Sequence, residues 1–442
     1  MRRCSARPAR RFCALLLCAL ALAVSAGAAR GYDYYIAPEL YELPLVDPMP
    51  AGVRTMGMGG AGLAAVDDAS AAMTNPAGLT RLGRIELGAG LSRSAMSLDV
   101  SAFGDDSATN LTDTDLRSLR VAYPFPTFRG SLVFAFSGEQ VYDFDSEFIA
   151  SYSDAFAGTE GQIVDQAELL ESTGGIRSWN LSAAFKAAER ISLGGTISYL
   201  SGTYDRSFTW VADEEDFPGA YEGSITYQSE DSSDVSGFRA TVGGLFQLNE
   251  AVAAALVVQS PVKLSFTGVR DERAETSADE FRQEVNFEDE ITLPFSFSAG
   301  LAYTPTDFLV FAGDLKYTDW SEIEYAGRVF LDEESDDPED LLAGRRYAYE
   351  EVLDVMLGAE VILPAWPVRL RAGYAMRPVA YQGLDVDVDR SYLTLGVGVL
   401  IDPVLSVDAA WQGGSFEREG PDYDYSETRD MNTIVLEASY RF

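Results

Sequence analysis

The sequence predicts an all-β fold, a 14-stranded antiparallel β-barrel that crosses a membrane. Three observations predict it: an export leader at the N-terminus, an even number of short segments that alternate apolar and polar residues, and connections that are short and long by turns.

The leader comes first. Five arginines precede an apolar run from Phe12 to Val24, and small residues follow from Ser25 to Ala29. This is the pattern of a secretory signal peptide over residues 1–28. The apolar run is shorter than the roughly 20 residues a spanning helix needs. Leu17 rather than a small residue precedes Cys18, which argues against lipid attachment. All three cysteines, Cys4, Cys13 and Cys18, lie in the leader, so the mature chain has no disulfide framework.

The chain has no histidine, which removes the usual zinc ligand and the usual general base near neutral pH. Metal-hydrolase and Ser-His-Asp readings fall away, and neither an enzyme nor a metal site is expected. Removing residues 1–28 takes away five arginines and no acid. The remainder carries 28 basic and 69 acidic residues, a net charge of −41. Such a surface does not suit nucleic acid, whose binding needs basic residues on the phosphates.

Strand-like segments begin near Arg84. They cover 84–100, 117–126, 130–142, 177–189, 190–204, 236–248, 251–268, 288–303, 307–325, 347–363, 367–379, 390–401, 404–414 and 430–442. Short turns such as "AER", "LNEA", "TPTD" and "DPV" alternate with long connections at 101–116, 143–176, 205–235, 269–287, 331–346, 380–389 and 415–429. The long connections hold most of the acid. An outer-membrane barrel has this asymmetry, with short turns facing the periplasm and long loops facing outside.

The faces of individual strands agree. In the last strand Ile434, Leu436, Ala438, Tyr440 and Phe442 alternate with Thr433, Val435, Glu437, Ser439 and Arg441. In 368–377 the apolar face opposes Arg369, Arg371 and Arg377, and in 309–318 it opposes Asp314 and Lys316. An Arg or Lys facing lipid near the midplane costs about 2–4 kcal/mol, so these charges point into the lumen. There Asp314 and Glu437 are expected to pair with the arginines. Closing the first strand on the last leaves no unpaired edge in the bilayer. The closing strand, with outward Tyr440 and a terminal Phe442, resembles the signal read by the barrel assembly machinery.

Residues 52–82 do not alternate, and their Ala, Met and Ser content favours short helices. Gly57, Gly59 and Gly60 permit tight turns, Asp67 and Asp68 are expected to cap a helix, and Pro76 ends it by forcing Asn75 out of helical geometry. The run "GVRTMGMGGAGLAAVDDASAAMTNPAGL" resembles the N-terminal signature of the FadL-type outer-membrane transport family, which carries long-chain fatty acids and aromatic hydrocarbons. "LPFSFSAGLAYTPTDFLVFAGDLKYTDWSEIEY", "SPVKLSFTG" and the closing "SYRF" are similar to that family too.

The resemblance implies a barrel plugged by a hatch at 52–83, after an N-terminal extension at 29–51, with the barrel itself at 84–442. The hatch residues are Arg54, Met56, Gly57, Gly59, Gly60, Asp67, Asp68, Asn75, Pro76 and Ala77, with Asp67 or Asp68 paired to a lumen arginine. It further implies passive import of a hydrophobic small molecule, a fatty acid or hydrocarbon, without a cofactor. A second reading within the family is a non-transporting barrel that serves as an attachment or shuttle partner in protein secretion. Two features depart from the pattern: the aromatic lead-in "RGYDYYIAPELYELPLVDPMP" and the acidic loops. The loops read as solvated surface, with divalent cations bridging them to lipopolysaccharide as the alternative.

Overall fold

The structure, a computed structural model, describes residues 48–102, 105–128, 130–155, 163–213, 224–275, 280–326, 349–380, 389–419 and 425–442. The leader, nearly all of the N-terminal extension and much of the acidic sequence at 327–348 and 381–388 lie outside the described residues.

The strands are β1 (Glu86–Ala102), β2 (Asp105–Phe125), β3 (Leu132–Asp143), β4 (Ser146–Ala155), β5 (Ile163–Ala188), β6 (Ile191–Asp213), β7 (Ser224–Gln247), β8 (Val252–Gln259) and β9 (Val262–Glu275). They continue as β10 (Glu280–Leu293), β11 (Ser296–Thr306), β12 (Leu309–Asp319), β13 (Glu324–Ala326), β14 (Glu351–Ile362), β15 (Val368–Pro378), β16 (Asp389–Leu400), β17 (Leu405–Glu419) and β18 (Tyr425–Arg441).

Four pairs of these segments are single barrel strands with a break in them. β3 and β4 both pair with β5, β8 and β9 both pair with β7, β10 and β11 pair with β9 and β8 in turn, and β12 and β13 pair with β11 and β10. Fourteen strands result, each antiparallel to its neighbours, and β1 closes on β18. Two of the breaks lie side by side. Pro261 separates β8 from β9, Pro294 separates β10 from β11, and neither residue has an N–H to give the ladder.

The alternation predicted for the wall is present. Ile434, Leu436, Tyr440 and Phe442 are exposed on the outer face while Val435 and Ser439 are buried. Trp179, Tyr199 and Phe238 lie opposite one another on β5, β6 and β7, an aromatic row at the outer edge of the apolar band. Above that row the structure departs from the sequence reading. The connections at 101–116, 143–176, 205–235 and 269–287 are largely strand, not loop. From Tyr199 to Asp213 β6 runs about 45 Å further at 3.3 Å per residue, well past the bilayer. These stretches escape an apolar pattern because most of their length stands beyond the lipid.

The segment before the barrel folds inside it, at the end marked by the short turns. It comprises α1 (Val53–Gly57), α2 (Ala71–Thr74) and a 3-10 helix at Pro76–Arg81. Its apolar side chains share clusters with the inward faces of the strands. Val66, Ala72 and Leu79 pack with Ala122, Val133 and Ala184, and Ala64 and Ala77 pack with Leu245, Ala255 and Ala312. The first strand begins at Glu86, two residues later than Arg84.

Candidate functional site

The hatch is held by glycines on both sides of its contact with the wall. Gly59 and Gly60 adopt φ of 68° and 87°, a left-handed turn that residues with a Cβ rarely enter. That turn brings the backbone of Met58 and Gly59 flat against Gly358 and Gly373 of the barrel. A Cβ added to Gly373 would lie 2.1 Å from the Gly59 nitrogen. On the far side of the lumen, a Cβ on Gly243 would lie 2.1 Å from Asn75 Oδ1. Met56 is buried beside Val53, Ala410 and Val435.

Asn75 does what no aspartate does in its place, because its amide both donates and accepts. Its Nδ2 donates to the carbonyls of Leu63 (2.9 Å) and Gly244 (3.3 Å), and its Oδ1 accepts from Ala77 N–H (3.1 Å), capping the 3-10 helix. Pro76 occupies the first position of that helix, where its missing N–H costs nothing. The predicted stop at Pro76 is therefore a switch from one short helix to another.

Charged contacts complete the seat. Arg54 donates from Nε and Nη2 to both oxygens of Glu360 (3.0 and 2.8 Å) and from Nη1 to Asp67 (2.7 Å) and to the Ala65 carbonyl. Glu360 also accepts from Arg371 Nε at 2.7 Å, and Arg371 reaches Asp408 at 2.6 Å. A chain of ion pairs thus joins plug to wall. Such a chain holds firmly because removing one member strands a buried charge. Asp314 accepts from the N–H groups of Gly62 (2.6 Å) and Leu63 (2.9 Å), and Glu86 accepts from Ala69 N–H (3.0 Å) and pairs with Arg441 (2.6 Å).

Several expected partners change. Asp67 pairs with Arg54 of the hatch itself rather than with a lumen arginine. Asp68 accepts from the N–H and hydroxyl of Ser70, so it caps the turn before α2 and not the helix. Burial opposes the charge on Asp68, but the Ser70 hydroxyl and the guanidiniums of Arg54 and Arg120 outweigh it and hold this carboxyl below the usual range. Asp314 faces no arginine; its partners are backbone. Glu437 pairs with Arg120 at 2.6 Å, not with Arg369, Arg371 or Arg377. Lys316 lies 3.7 Å from Asp354, and Arg377 sits over the Tyr392 ring. Arg369 is half-buried on β15.

A second feature lies in the wall. β2 and β3 pair from Phe125↔Leu132 to Ser118↔Glu139 and no further, whereas β2 continues on β1 and β3 continues on β5. Bulges occur on both strands at this level, at Arg117 and at Val141. Further up, β4 returns to β2, where the Ser107 hydroxyl donates to the Ile149 carbonyl. The result is a window between Ser118/Glu139 below and Ser107/Ile149 above. Side chains cross it: Gln140 Nε2 donates to Asp115 (3.0 Å) and Arg177 to the Leu116 carbonyl (2.6 Å).

The end of the N-terminal extension stands in the window from inside. Met49 N–H donates to the Val141 carbonyl at 2.9 Å, and Arg117 donates to the Pro50 carbonyl at 2.6 Å and touches the Met49 sulfur. Below the window Arg120 makes a bidentate pair with Glu139 (3.0 and 3.1 Å).

Between hatch and window the lumen is apolar. Val141, Ile176, Leu200, Leu264, Phe266, Ile291 and Trp320 form one cluster, with Met73 of α2 packed against its lower side. Val141 belongs to both the cluster and the window edge. Within the window Asp113, Asp115 and Asp143 bring carboxylate oxygens within 4.8 Å of one another.

Sequence reasoning missed Glu360, Arg120, Arg117, Asp408 and the barrel glycines. Glu360 left a signal, being the one charge within "VMLGAEVIL" and on its inward face. Arg117 left none, because its inward direction depends on the bulge.

The family of outer membrane protein transport proteins (OMPP1/FadL/TodX) matches residues 50–419 of this chain. The crystal structure of a Pseudomonas aeruginosa FadL homologue superposes with TM-score 0.65 at 14% identity, covering 91% of this chain and 99% of that one. The P. putida toluene transporter TodX gives 0.62 at 12% identity, covering 90% and 99%. The Ralstonia pickettii toluene transporter TbuX gives 0.57 at 15%, again covering 90% and 99%. No curated protein matches this chain in sequence.

Proposed function

The chain belongs to the outer membrane protein transport protein family, and from that premise we propose that it is a passive importer of hydrophobic molecules, long-chain fatty acids or aromatic hydrocarbons. The molecule is gathered within the extracellular strands, lodges in the apolar cluster above Met73, and leaves sideways between β2 and β3. Diffusion down the gradient supplies the drive, and partition into the apolar cluster, worth about 0.8 kcal/mol per buried methylene, holds the molecule on the way.

One observation carries this reading. The hatch engages the wall on every side, from Glu86 on β1 through Gly243 on β7 and Asp314 on β12 to Gly373 on β15, while the β2–β3 ladder ends partway up, with both strands running on and the end of the N-terminal extension seated in the gap. A route through the plug breaks many contacts; a route through the window breaks two side-chain bridges and the hold on Met49. The hatch residues Arg54, Gly59, Gly60 and Asn75 then serve as a fixed seal.

Uptake of labelled oleate or toluene by a deletion strain, with and without this chain, tests the proposal. Chain-dependent accumulation that follows the gradient is the expected result, and uptake that does not change with the chain sinks the idea.

A further inference from the structure

The outer wall carries a groove that the route above does not use. It has a volume of about 430 Å³ and crosses the closing seam of the barrel on the lipid-facing side. The strand register explains it. One outward row runs Ala438, Ala89, Leu119, Gly138, Trp179, and the row toward the short turns runs Leu405, Tyr440, Leu87, Val121, Phe136. Three small residues in the first row leave a trough beside the larger side chains of the second. At one end the Trp179 ring lies over Gly138, where a Cβ would come within 2.6 Å of it, and stacks on Phe136 at 6.2 Å.

The position of this trough gives it an occupant. Leu119↔Gly138 is the last outward-facing pair before the β2–β3 ladder ends at Ser118↔Glu139, so the trough begins one residue below the window, on the same face. An apolar molecule that emerges there meets Trp179 and Phe136 first. Resting on the proposed lateral route, we infer that the seam groove is the exit site, which takes the alkyl or aromatic body of the transported molecule as it leaves the window and leads it along the wall toward the leaflet at the short-turn end. No bond is made or broken; the groove offers contact area that a smooth barrel wall lacks. The fit is to an apolar chain, since its lining is aliphatic and aromatic apart from Arg120, whose guanidinium is already engaged by Glu139 and Glu437.

The test uses the full mature chain in detergent, with 1-bromododecane as a quencher of tryptophan fluorescence. Saturable quenching that unlabelled dodecane displaces is expected for the wild-type chain, and Trp179→Phe removes it. Filling the trough with Ala89→Leu and Ala438→Leu, both apolar and lipid-facing, weakens that saturable binding by about tenfold or more, since each displaced methylene contact carries a few-fold. The filled variant still shifts on heating in a gel as a closed barrel does, and cells carrying it take up labelled dodecane several-fold more slowly. Quenching without a saturable part, or saturable quenching displaced by a phospholipid but not by dodecane, overturns the exit site. Wild-type uptake by the filled variant overturns it as well. Absence of oleate, toluene and dodecane uptake alike by the wild-type chain sinks the transport reading together with this one, whereas oleate or toluene uptake beside any of the adverse results above overturns the exit site alone, so the two failures are told apart.

Discussion

Two boundaries of one barrel wall differ in kind. β1 and β18 pair along seventeen residues, from Glu86↔Arg441 to Ala102↔Tyr425, whereas β2 and β3 pair along eight. The first joins the two ends of the chain, and any gap there exposes backbone N–H and C=O groups to lipid, where water cannot satisfy them. The second is between neighbours in sequence, yet it opens partway up. Its free groups are not abandoned: Met49 N–H takes the Val141 carbonyl, and Arg177 takes that of Leu116. A barrel tolerates a window where bulges, side chains and a returning segment replace the missing ladder. The contrast teaches that closure is enforced at the seam and relaxed between β2 and β3, where other groups take up the freed backbone.

The sharpest way to break this comparison is to make the second boundary resemble the first. Asp115→Cys with Gln140→Cys, joined by a bifunctional thiol reagent, staples the window in a chain that has no other cysteine after Cys18. Uptake of the hydrophobic probe is expected to fall to background, with the wild-type chain indifferent to the reagent.

Next in size is Glu360→Gln. It leaves Arg54 and Arg371 buried against a neutral amide, and losing one member of such a buried network costs about 3–5 kcal/mol. The temperature of the gel shift reads this directly. A substitution at Gly373 follows. Gly373→Ala drives a methyl into the Gly59 backbone, an overpacking that costs about 1–3 kcal/mol and loosens the plug. Ion conductance in planar bilayers should rise, while the outward Gly195→Ala, whose nearest neighbour is 3.7 Å away, should leave it unchanged.

Arg117→Gln gives a smaller effect. A hydrogen bond to a charged group contributes roughly 1.5–3 kcal/mol, about ten- to a hundredfold in an equilibrium, and the Met49–Val141 bond remains, so probe uptake should rise by no more than that factor. The smallest effect is expected at the seam. Glu86→Gln loses the Arg441 pair but none of the seventeen backbone pairings, and uptake should stay at the wild-type rate; a large drop would mean that the seam also opens.

Much of the architecture was legible before any coordinates. The alternation in 430–442 gave β18 its lipid and lumen faces, and Gly59, Gly60 and Pro76 marked the turns of the hatch. Where no lipid faces a strand the legibility ended: β4, the outer part of β10 and the upper part of β6 hold Phe148, Val285 and Trp210 among mostly polar residues, too few for a clear alternation, and read as loops. Charge partners were less legible still. Asp314, Glu437, Arg369, Arg371 and Arg377 were read as lumen residues from their parity along single strands. Which of them meet depends on strand register and on where the hatch sits, and neither is encoded in any one segment. The barrel glycines show the same limit. Gly243 and Gly373 look like weak points in their strands until Asn75 and Gly59 arrive from the other end of the chain.

By itself the sequence determined that the chain is exported, that it closes as an even-stranded barrel in the outer membrane, and that a compact helical piece precedes it. Those are consequences of local periodicity and composition, which each short window carries on its own. The tertiary structure decided which buried charges meet, where the plug touches the wall, and that β2 and β3 part at Ser118 and Glu139. Each of these depends on groups far apart in the chain being brought within a few ångströms, and short-range electrostatics and packing act only once closure has put them there.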